Sequence, residues 1–508
     1  MSKTTTTTGV GMARAQSLVA ALVSLYIAWE YVSIRFDAIG ENELMCVAML
    51  LLTAYGVVSN TRRRGLNDDG EDLTNAYALL SPIWALCATS GSVLGEKNAR
   101  AFALNNAFSV AGSVGYVDAW SSTANARRTL VSAIGWFVML RLISGKWALD
   151  AFAVALARCA SWRLDGALSA SERGFVALGV AGTFGACGYA YSSGVGFKRA
   201  MDATVLGSTF MISGLAWLLA SARLVSGSSR AGPWTRAIVI VAAFATPELY
   251  YRIVTGSGNV FSALITYVLT TTQTTELFAL STRWATALCV AFGTAVTAQS
   301  APLTIRRKAF HFLAVFMFAP LLLPSSHHGE LLRVAFTVAF ASFAFVEFAR
   351  VYDAFYGVGS FGWPLSFFLA EHFVPQPDVV SLIITDHISL LIGIALPTWL
   401  SADTSSLVAW AGILTVGVGD SLASIVGTAF GRRRLFTDER HGKTLEGACA
   451  FAISTFIAAR YVAACIGSDV SPMRILFASV ASAVVEASCE GGDNYILPLV
   501  FAALVAAR

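Results

Sequence analysis

The stretch that decides the fold is GVGDSLASIVGTAFGRRRLFTDERHGKTLEG, which runs from Gly417 to Gly447. It begins inside one hydrophobic segment, crosses a polar loop rich in arginine, and ends where the next hydrophobic segment starts. One acid, Asp420, stands among small residues at the inner end of the first segment. A charge inside a membrane span is costly, so an acid there is a functional hypothesis by default. The glycines allow a ligand to approach the backbone closely, and the basic loop suits phosphate. Together these features outline a nucleotide site at a membrane surface.

The composition of the whole chain indicates a membrane protein. Of its 508 residues, 56% are hydrophobic and 13% are charged, whereas about 25% are charged in soluble domains. Long apolar runs rich in Ala, Leu, Val and Phe recur from Ser17 to the C-terminus, whereas a membrane barrel would show short alternating strands. We therefore predict an all-α, polytopic transmembrane helical bundle with roughly 14–18 spans, among them 259–278 and 445–466.

Charge and cysteine content argue against two other classes of protein. The net charge of +4 is too small to suggest that nucleic acid is a partner. The eight cysteines lie mostly inside apolar runs and form no CxxC pair. Neither a disulfide framework nor a zinc site is therefore indicated.

The distribution of polar residues predicts three regions. Residues 1–16 are polar and predicted to be disordered. Residues 17–300 have scattered polar groups and are predicted to form a multi-span scaffold that faces lipid. In 301–508, polar residues collect near the ends of spans, which marks this region as the catalytic part. The Lys/Arg clusters at 306–308 and 432–434 predict that these loops are cytoplasmic, and 361–373 is predicted to be an amphipathic interfacial helix.

Asp420 and Lys443 are the two strongest candidates for chemistry. Asp420 suits a magnesium ligand or a base for an alcohol; the alternative is a helix cap at the membrane surface. Lys443 suits a point-charge partner of nucleotide phosphates; the alternative is an ordinary basic loop. The tripeptide GKT suggests a P-loop, but Thr437 stands where its first glycine would fall, and no strand precedes it.

Other candidates lie near the ends of the neighbouring spans. Glu486, Asp493 and Asn494 bracket a double glycine and suit a metal or a nucleotide, or else a polar turn. Lys308 and His311 share a helix face and would either steer phosphates or snorkel at the interface.

Asp386 and His387 are adjacent polar residues inside an apolar run. They would either hydrogen-bond within the bundle or contact a reacting alcohol. A transporter would also carry acids in its spans, but with its polar groups at mid-depth in two related halves. Here they cluster near span ends beside a basic loop, which favours chemistry on a lipid at the membrane surface.

Six segments, in order along the chain, resemble motifs of the dolichol kinase family. They are RRKAFHF, VEFARV, ITDHISLLIGIALPTWL, GVGDSLASIVGTAFG, HGKTLEG and VEASCEGGDNYILPL. Six ordered matches are far more specific than any one alone. The chain departs from the family in having Gly442 where a first lysine is expected and Asp386 where Thr is common, and its loop at 432–441 looks longer and more basic.

The resemblance implies a kinase that transfers the terminal phosphoryl group of CTP to dolichol at the endoplasmic reticulum membrane, for protein glycosylation. It implies that Mg²⁺ or another divalent cation is required, and that CTP binds in the loop at 427–446, on the cytoplasmic side. The residues predicted to bind the nucleotide are Gly427, Thr428, Gly431, Arg432, Gly442, Lys443, Thr444, Glu446, Lys308, His311 and Asn494. The predicted catalytic residues are Asp420, Lys443 and His387, and the predicted metal ligands are Asp420, Asp493 and Glu446.

Three alternatives remain open at this point. A phytol, farnesol or other polyprenol kinase would keep the chemistry and change the lipid. A lipid cytidylyltransferase would also use CTP and acids at a membrane face. A transporter would move a solute without turning over CTP.

Overall fold

A computed structural model describes residues 203–226, 233–256, 258–297, 302–323, 328–356, 383–384, 386–401, 404, 406–435, 442–488 and 493–506. Several sequence predictions lie outside these residues: the disordered segment 1–16, every span before residue 203, the interfacial helix at 361–373, and the loop tip at 436–441.

The described residues are helical, as predicted. The helices are α1 (Ala203–Ser226), α2 (Pro233–Thr255), α3 (Val260–Thr271), α4 (Thr274–Thr297), α5 (Leu303–Phe318) with a 3₁₀ turn (Ala319–Leu322), α6 (Gly329–Tyr356), α7 (Asp386–Leu400), a π-helical segment (Ile413–Asp420), α8 (Ser421–Phe430), α9 (Leu445–Ile466), α10 (Pro472–Ser488) and α11 (Asp493–Ala506). Within the described ranges there is no strand, only an isolated antiparallel bridge between Arg434 and Thr444. The all-α fold class is confirmed.

The helices fit a membrane in both length and surface. Within the described part, four helical stretches are long and apolar enough to cross a bilayer: Thr274–Thr294, Gly329–Tyr352, Ile413–Phe430 and Leu445–Ile466. On α9, large apolar side chains are exposed, with Ile453 and Ile457 each 60% exposed. Such a surface would be unfavourable in water but suits contact with lipid tails. The chain is a multi-pass membrane protein.

One predicted span, 259–278, is wrong in its limits. Helix α3 ends at Thr271, Thr272 has an extended backbone (φ −130°, ψ 133°), and α4 begins at Thr274. The break falls in the sequence TTTQTT. The hydroxyls of Thr270 and Thr271 bond back to the carbonyls of Thr266 and Tyr267, and threonine is a weak helix former for this reason and because of its branched β-carbon.

The described residues fall into two compact units. The central unit contains 203–321 and 328–392, and the carboxyl-terminal unit contains 393–506 with Leu322 and Leu323. The core of the central unit is formed where α1 packs on α6, with Leu206 and Phe210 on α1 and Val334 on α6. The predicted division of the chain at residue 300 stays a prediction.

In the carboxyl-terminal unit, small residues allow helices to approach closely. A Cβ built on Gly412 would lie 2.5 Å from the Cα of Ile394, and one on Gly419 would lie 3.0 Å from the ring of Phe451. The π-helical segment therefore packs tightly against both α7 and α9, and these contacts fix the position of Asp420.

Candidate functional site

Asp420 is buried in the wide turn that precedes α8. It is 6% exposed and is the last residue of the π-helical segment Ile413–Asp420. Since the apolar helical stretch continues to Phe430, Asp420 lies near its middle, and the expectation that it stands at the inner end of a span is wrong. Its backbone is helical and its side chain makes no capping hydrogen bond to α8, so the alternative role as a helix cap is not supported. Single π turns inside α-helices are frequent at functional sites.

Backbone hydrogen bonds join the first and last residues of the loop between α8 and α9. The N–H of Leu435 donates to the carbonyl of Lys443 over 3.1 Å, and the N–H of Leu445 donates to the carbonyl of Arg433 over 2.9 Å. The carboxylate of Glu446 accepts the N–H of Arg433 over 3.2 Å. These bonds fix the backbone on both sides of the loop, while Arg432, Arg433 and Arg434 stay exposed.

Thr444 caps α9 and packs against α8. Its hydroxyl accepts the N–H of Gly447 over 3.2 Å, which satisfies one of the unpaired N–H groups at the start of the helix. A Cβ built on Gly427 would lie 3.1 Å from this hydroxyl, and one on Gly447 would lie 2.9 Å from the carbonyl of Ala423. Helices α8 and α9 therefore touch backbone to backbone at these glycines.

The glycines predicted to contact nucleotide thus divide into two kinds. Gly427 and Gly431 both lie against Thr444, inside the protein's own packing. No described atom lies within 4 Å of a Cβ built on Gly442, and Gly442 is exposed. Thr428 and Arg432 are exposed. Among the predicted nucleotide residues of 427–446, Gly442, Thr428 and Arg432 are therefore exposed, and Lys443 is partly exposed.

Lys443 forms an ion pair with Glu486, a residue that the sequence left undecided. Its ammonium contacts Oε1 of Glu486; the lysine side chain is 29% exposed and the glutamate side chain 6%. Glu486 lies within α10, which ends at Ser488, so its interpretation as part of a polar turn is wrong. The pair joins the motifs HGKTLEG and VEASCEGGDNYILPL.

The remaining candidates of the carboxyl-terminal unit lie at the start of α11. The helix begins at Asp493, whose side chain lies outside the described residues. Asn494 is half-buried, and its backbone lies within 4 Å of a Cβ built on Gly393. The structure therefore places Asn494 on α11 against α7.

In the central unit, the basic end of α5 is joined to the start of α7. Arg307 forms an ion pair with Asp386 at 3.0 Å. Nδ1 of His311 lies 3.3 Å from the carbonyl of Arg307, and Nε2 lies 3.5 Å from the ammonium of Lys308. These partners suit a neutral imidazole that donates from Nδ1 and accepts at Nε2. His311 is 6% exposed.

A buried glutamate organises the neighbouring end of α6. Glu347 accepts two hydrogen bonds from Arg350, at 2.9 and 2.6 Å, and a third from the N–H of Ile384 at 2.7 Å. His387 packs edge-on against Phe343, with 5.3 Å between ring centroids. Its Nε2 is buried and makes no hydrogen bond within the described part of the protein.

The described side chains do not form a complete metal-binding site by themselves. Among them, no group of three His, Cys, Asp or Glu residues lies close enough to hold a cation. Glu446 directs its carboxylate to the backbone of Arg433, and Asp493 is outside the described side chains. Magnesium in kinases is commonly held by one or two carboxylates together with nucleotide phosphates, and buried Asp420 fits that smaller role.

Comparison with known proteins finds several relatives. The chain is 34% identical over 208 residues to dolichol kinase sec59 of Schizosaccharomyces pombe. It is 34% identical over 207 residues to dolichol kinase EVAN of Arabidopsis thaliana, and 32% identical over 209 residues to dolichol kinase of Homo sapiens. The matches cover 39–40% of this chain and 34–39% of the relatives, so the chain matches little more than a third of their length. No family model and no solved structure matches. The resemblance to dolichol kinases drawn from the six motifs is confirmed.

Proposed function

We propose that this protein is a CTP-dependent dolichol kinase of the endoplasmic reticulum membrane, which makes dolichyl phosphate for protein glycosylation. The observation that carries the proposal is the 34% identity over 208 residues to a protein named dolichol kinase. The identity of the lipid, the choice of CTP and the compartment rest on that similarity. The loop between α8 and α9 faces the cytoplasm in this proposal, where CTP is available.

The geometry of the loop supports a role in phosphoryl transfer. This reaction needs little covalent help from the protein; it needs in-line positioning and neutralisation of phosphate charge. Lys443 supplies a cation, and the backbone hydrogen bonds at the base of the loop fix the position of its main chain. Arg432 supplies a second, exposed cation at the end of the loop that follows α8. Beside Lys443, Gly442 is exposed and carries no side chain, which favours the close approach of phosphates. Thr428, Thr444, Glu446, Gly427 and Gly431 complete the proposed nucleotide-binding segment.

Asp420 is the proposed ligand for a divalent cation, together with Asp493 and Glu446. When bound, such an ion would neutralise charge on the phosphates. Asp420 is also the proposed base that accepts the proton of the lipid hydroxyl. Its burial within an apolar helical stretch suits contact with the head of a long isoprenoid that lies among the spans.

In the central unit, His387, Lys308 and His311 are the proposed contacts for the alcohol and the phosphates. His387 offers a buried ring nitrogen with no hydrogen bond in the described structure, which suits a hydroxyl donor. Lys308 supplies a cation at the start of α5, and Asn494 is proposed as a further nucleotide contact in the carboxyl-terminal unit.

An acceptor panel tests the proposal. Protein purified in detergent is given magnesium and CTP labelled at its terminal phosphate, with dolichol, phytol or farnesol in separate reactions. Label in dolichyl phosphate, with ATP a poor donor, is expected. Label only in phytyl or farnesyl phosphate would keep the reaction and overturn the substrate. No labelled lipid from folded protein would contradict the kinase itself.

A further inference from the structure

Glu486 occupies a position where a carboxylate is costly unless it is paired. It lies in the last turn of α10 and is 4% exposed, and its neighbours Val485 and Ala487 are 1% and 9% exposed. A buried charge without a hydrogen-bonded partner costs several kcal/mol or changes its protonation state. The ammonium of Lys443 meets this need directly.

Lys443 is held at both its backbone and its side chain. Its carbonyl accepts the N–H of Leu435 over 3.1 Å, and the next residue, Thr444, caps α9. At the other end of the side chain, the ammonium rests on Glu486. A lysine side chain is otherwise flexible, with roughly 2 kcal/mol of rotamer entropy. Here that freedom is removed before any ligand arrives.

The cation nevertheless stays accessible. The Lys443 side chain is 29% exposed, whereas that of Glu486 is 6% exposed. A partly exposed ammonium suits the oxygens of a nucleoside triphosphate, and the adjacent Gly442 is exposed and has no side chain to cover it.

We propose that Glu486 is a positioning residue for nucleotide binding, which holds the ammonium of Lys443 where the phosphates of the donor nucleotide arrive. Glu486 does not itself contact the nucleotide. This inference rests on the proposed function, because it takes Lys443 as a phosphate contact. It assigns the motif VEASCEGGDNYILPL a role in nucleotide affinity.

The test is the affinity for CTP of a Glu486→Gln variant. The loss of one charge-assisted contact is expected to raise the KM for CTP about tenfold, while kcat and the KM for dolichol change less than about twofold. Glu486→Asp, which keeps the charge, should restore part of the affinity, and it also serves if the Gln variant fails to fold. Glu330→Gln is the matched control, because Glu330 pairs with Arg333 at the start of α6, in the central unit, and its substitution should leave the KM unchanged.

A double-mutant cycle separates positioning from a general structural role. Glu486→Gln should add no further loss of CTP affinity once Lys443→Met is present, since it acts through that lysine. Independent, additive losses would overturn the inference. A fall in the KM of Glu486→Gln would also overturn it, because Glu486 would then compete with phosphate for the lysine.

Direct binding of labelled CTP keeps this inference distinct from the proposed function. If the wild-type protein binds CTP but phosphorylates no lipid, the proposed function fails. The double-mutant cycle is then measured with the Kd for CTP, so the inference about Glu486 is still tested. If the wild-type protein binds no CTP, both fail.

Discussion

Two buried glutamates, one in each unit, pair with a basic side chain in different ways. Glu347 is fully buried, and Arg350 is 5% exposed. They are one helical turn apart on α6, and Glu347 also accepts the N–H of Ile384. Glu486 is similarly buried, but its partner Lys443 lies 43 residues away, before α9, and its side chain is 29% exposed.

The two pairs differ in how much of the basic side chain stays exposed to a ligand. The carboxylate of Glu347 receives three hydrogen bonds, two of them from the rigid guanidinium fork of Arg350. That pair is closed, and it fastens the segment before α7 to α6. An ammonium is a compact point charge with three donors, and on Lys443 it is only partly covered. The exposure of the cation, rather than the burial of the acid, therefore distinguishes a structural ion pair from one placed for binding.

The largest effect is expected at Asp420, a third buried acid. Asp420→Asn should lower kcat for dolichol phosphorylation by about 100-fold or more, since it removes both the proposed base and a proposed metal ligand. Asp469→Asn is the control, because Asp469 is exposed in the turn after α9, about 33 Å along that helix from its start. Near-normal turnover of Asp420→Asn would contradict both proposed roles.

The closed pair should matter mainly for stability. Glu347→Gln leaves Arg350 buried without its carboxylate and is expected to lower the free energy of unfolding by about 3–5 kcal/mol. Glu330→Gln removes an i,i+3 pair on the same helix in which Arg333 is 10% exposed but Glu330 is 57% exposed. Water screens that exposed carboxylate, so a smaller loss of about 1 kcal/mol is expected. Thermal unfolding in detergent measures both. If both variants lost a similar, small amount of stability, the Glu347–Arg350 pair would not stabilise the fold as its geometry indicates.

Alanine substitutions at two glycines near Lys443 compare a tightly packed position, Gly447, with an exposed one, Gly442. Gly447→Ala would place a methyl 2.9 Å from the carbonyl of Ala423, and it should cost about 1–3 kcal/mol of stability. A Cβ on Gly442 meets no described atom within 4 Å, so Gly442→Ala should leave stability unchanged. The same unfolding assay compares them, and a destabilising Gly442→Ala would mean that its surroundings are not open.

The smallest effect is expected at the cap of α9. Thr444→Ala removes the hydroxyl that accepts the N–H of Gly447 and should cost about 1 kcal/mol. Thr444→Ser keeps that oxygen and should retain most of the stability. If Ala and Ser behaved alike, the cap would not be what holds this end of the helix.

Hydrophobic patterning predicted much of the fold. The predicted span at 445–466 coincides with α9, because a long apolar run with a polar loop before it leaves little choice. The span at 259–278 failed because hydropathy does not register the weak helix preference of a threonine run. The π turn before Asp420 also left no periodic signal in the sequence.

The sequence identified the chemistry-bearing residues but not how they pair. Lys443 stood out as a cation in a basic loop and Glu486 as an acid near the end of a span, yet their contact depends on how α9 packs against α10. A glycine in a motif indicates that another group approaches the backbone closely, but it does not show whether that group is a ligand or another part of the protein. Gly427 and Gly431 were predicted to meet nucleotide, and in the structure they meet Thr444.

The most direct measurement of the central claim follows which part of CTP reaches the lipid. Purified wild-type protein is incubated with dolichol, magnesium and CTP labelled either at the terminal phosphate or at the phosphate nearest the ribose. The account predicts that only CTP labelled at the terminal phosphate gives labelled dolichyl phosphate, and that the CDP released from it is unlabelled. CTP labelled at the ribose-proximal phosphate should give labelled CDP and unlabelled lipid. Transfer of the ribose-proximal label to lipid would mean cytidylyl transfer, and no transfer from either position would contradict a lipid kinase.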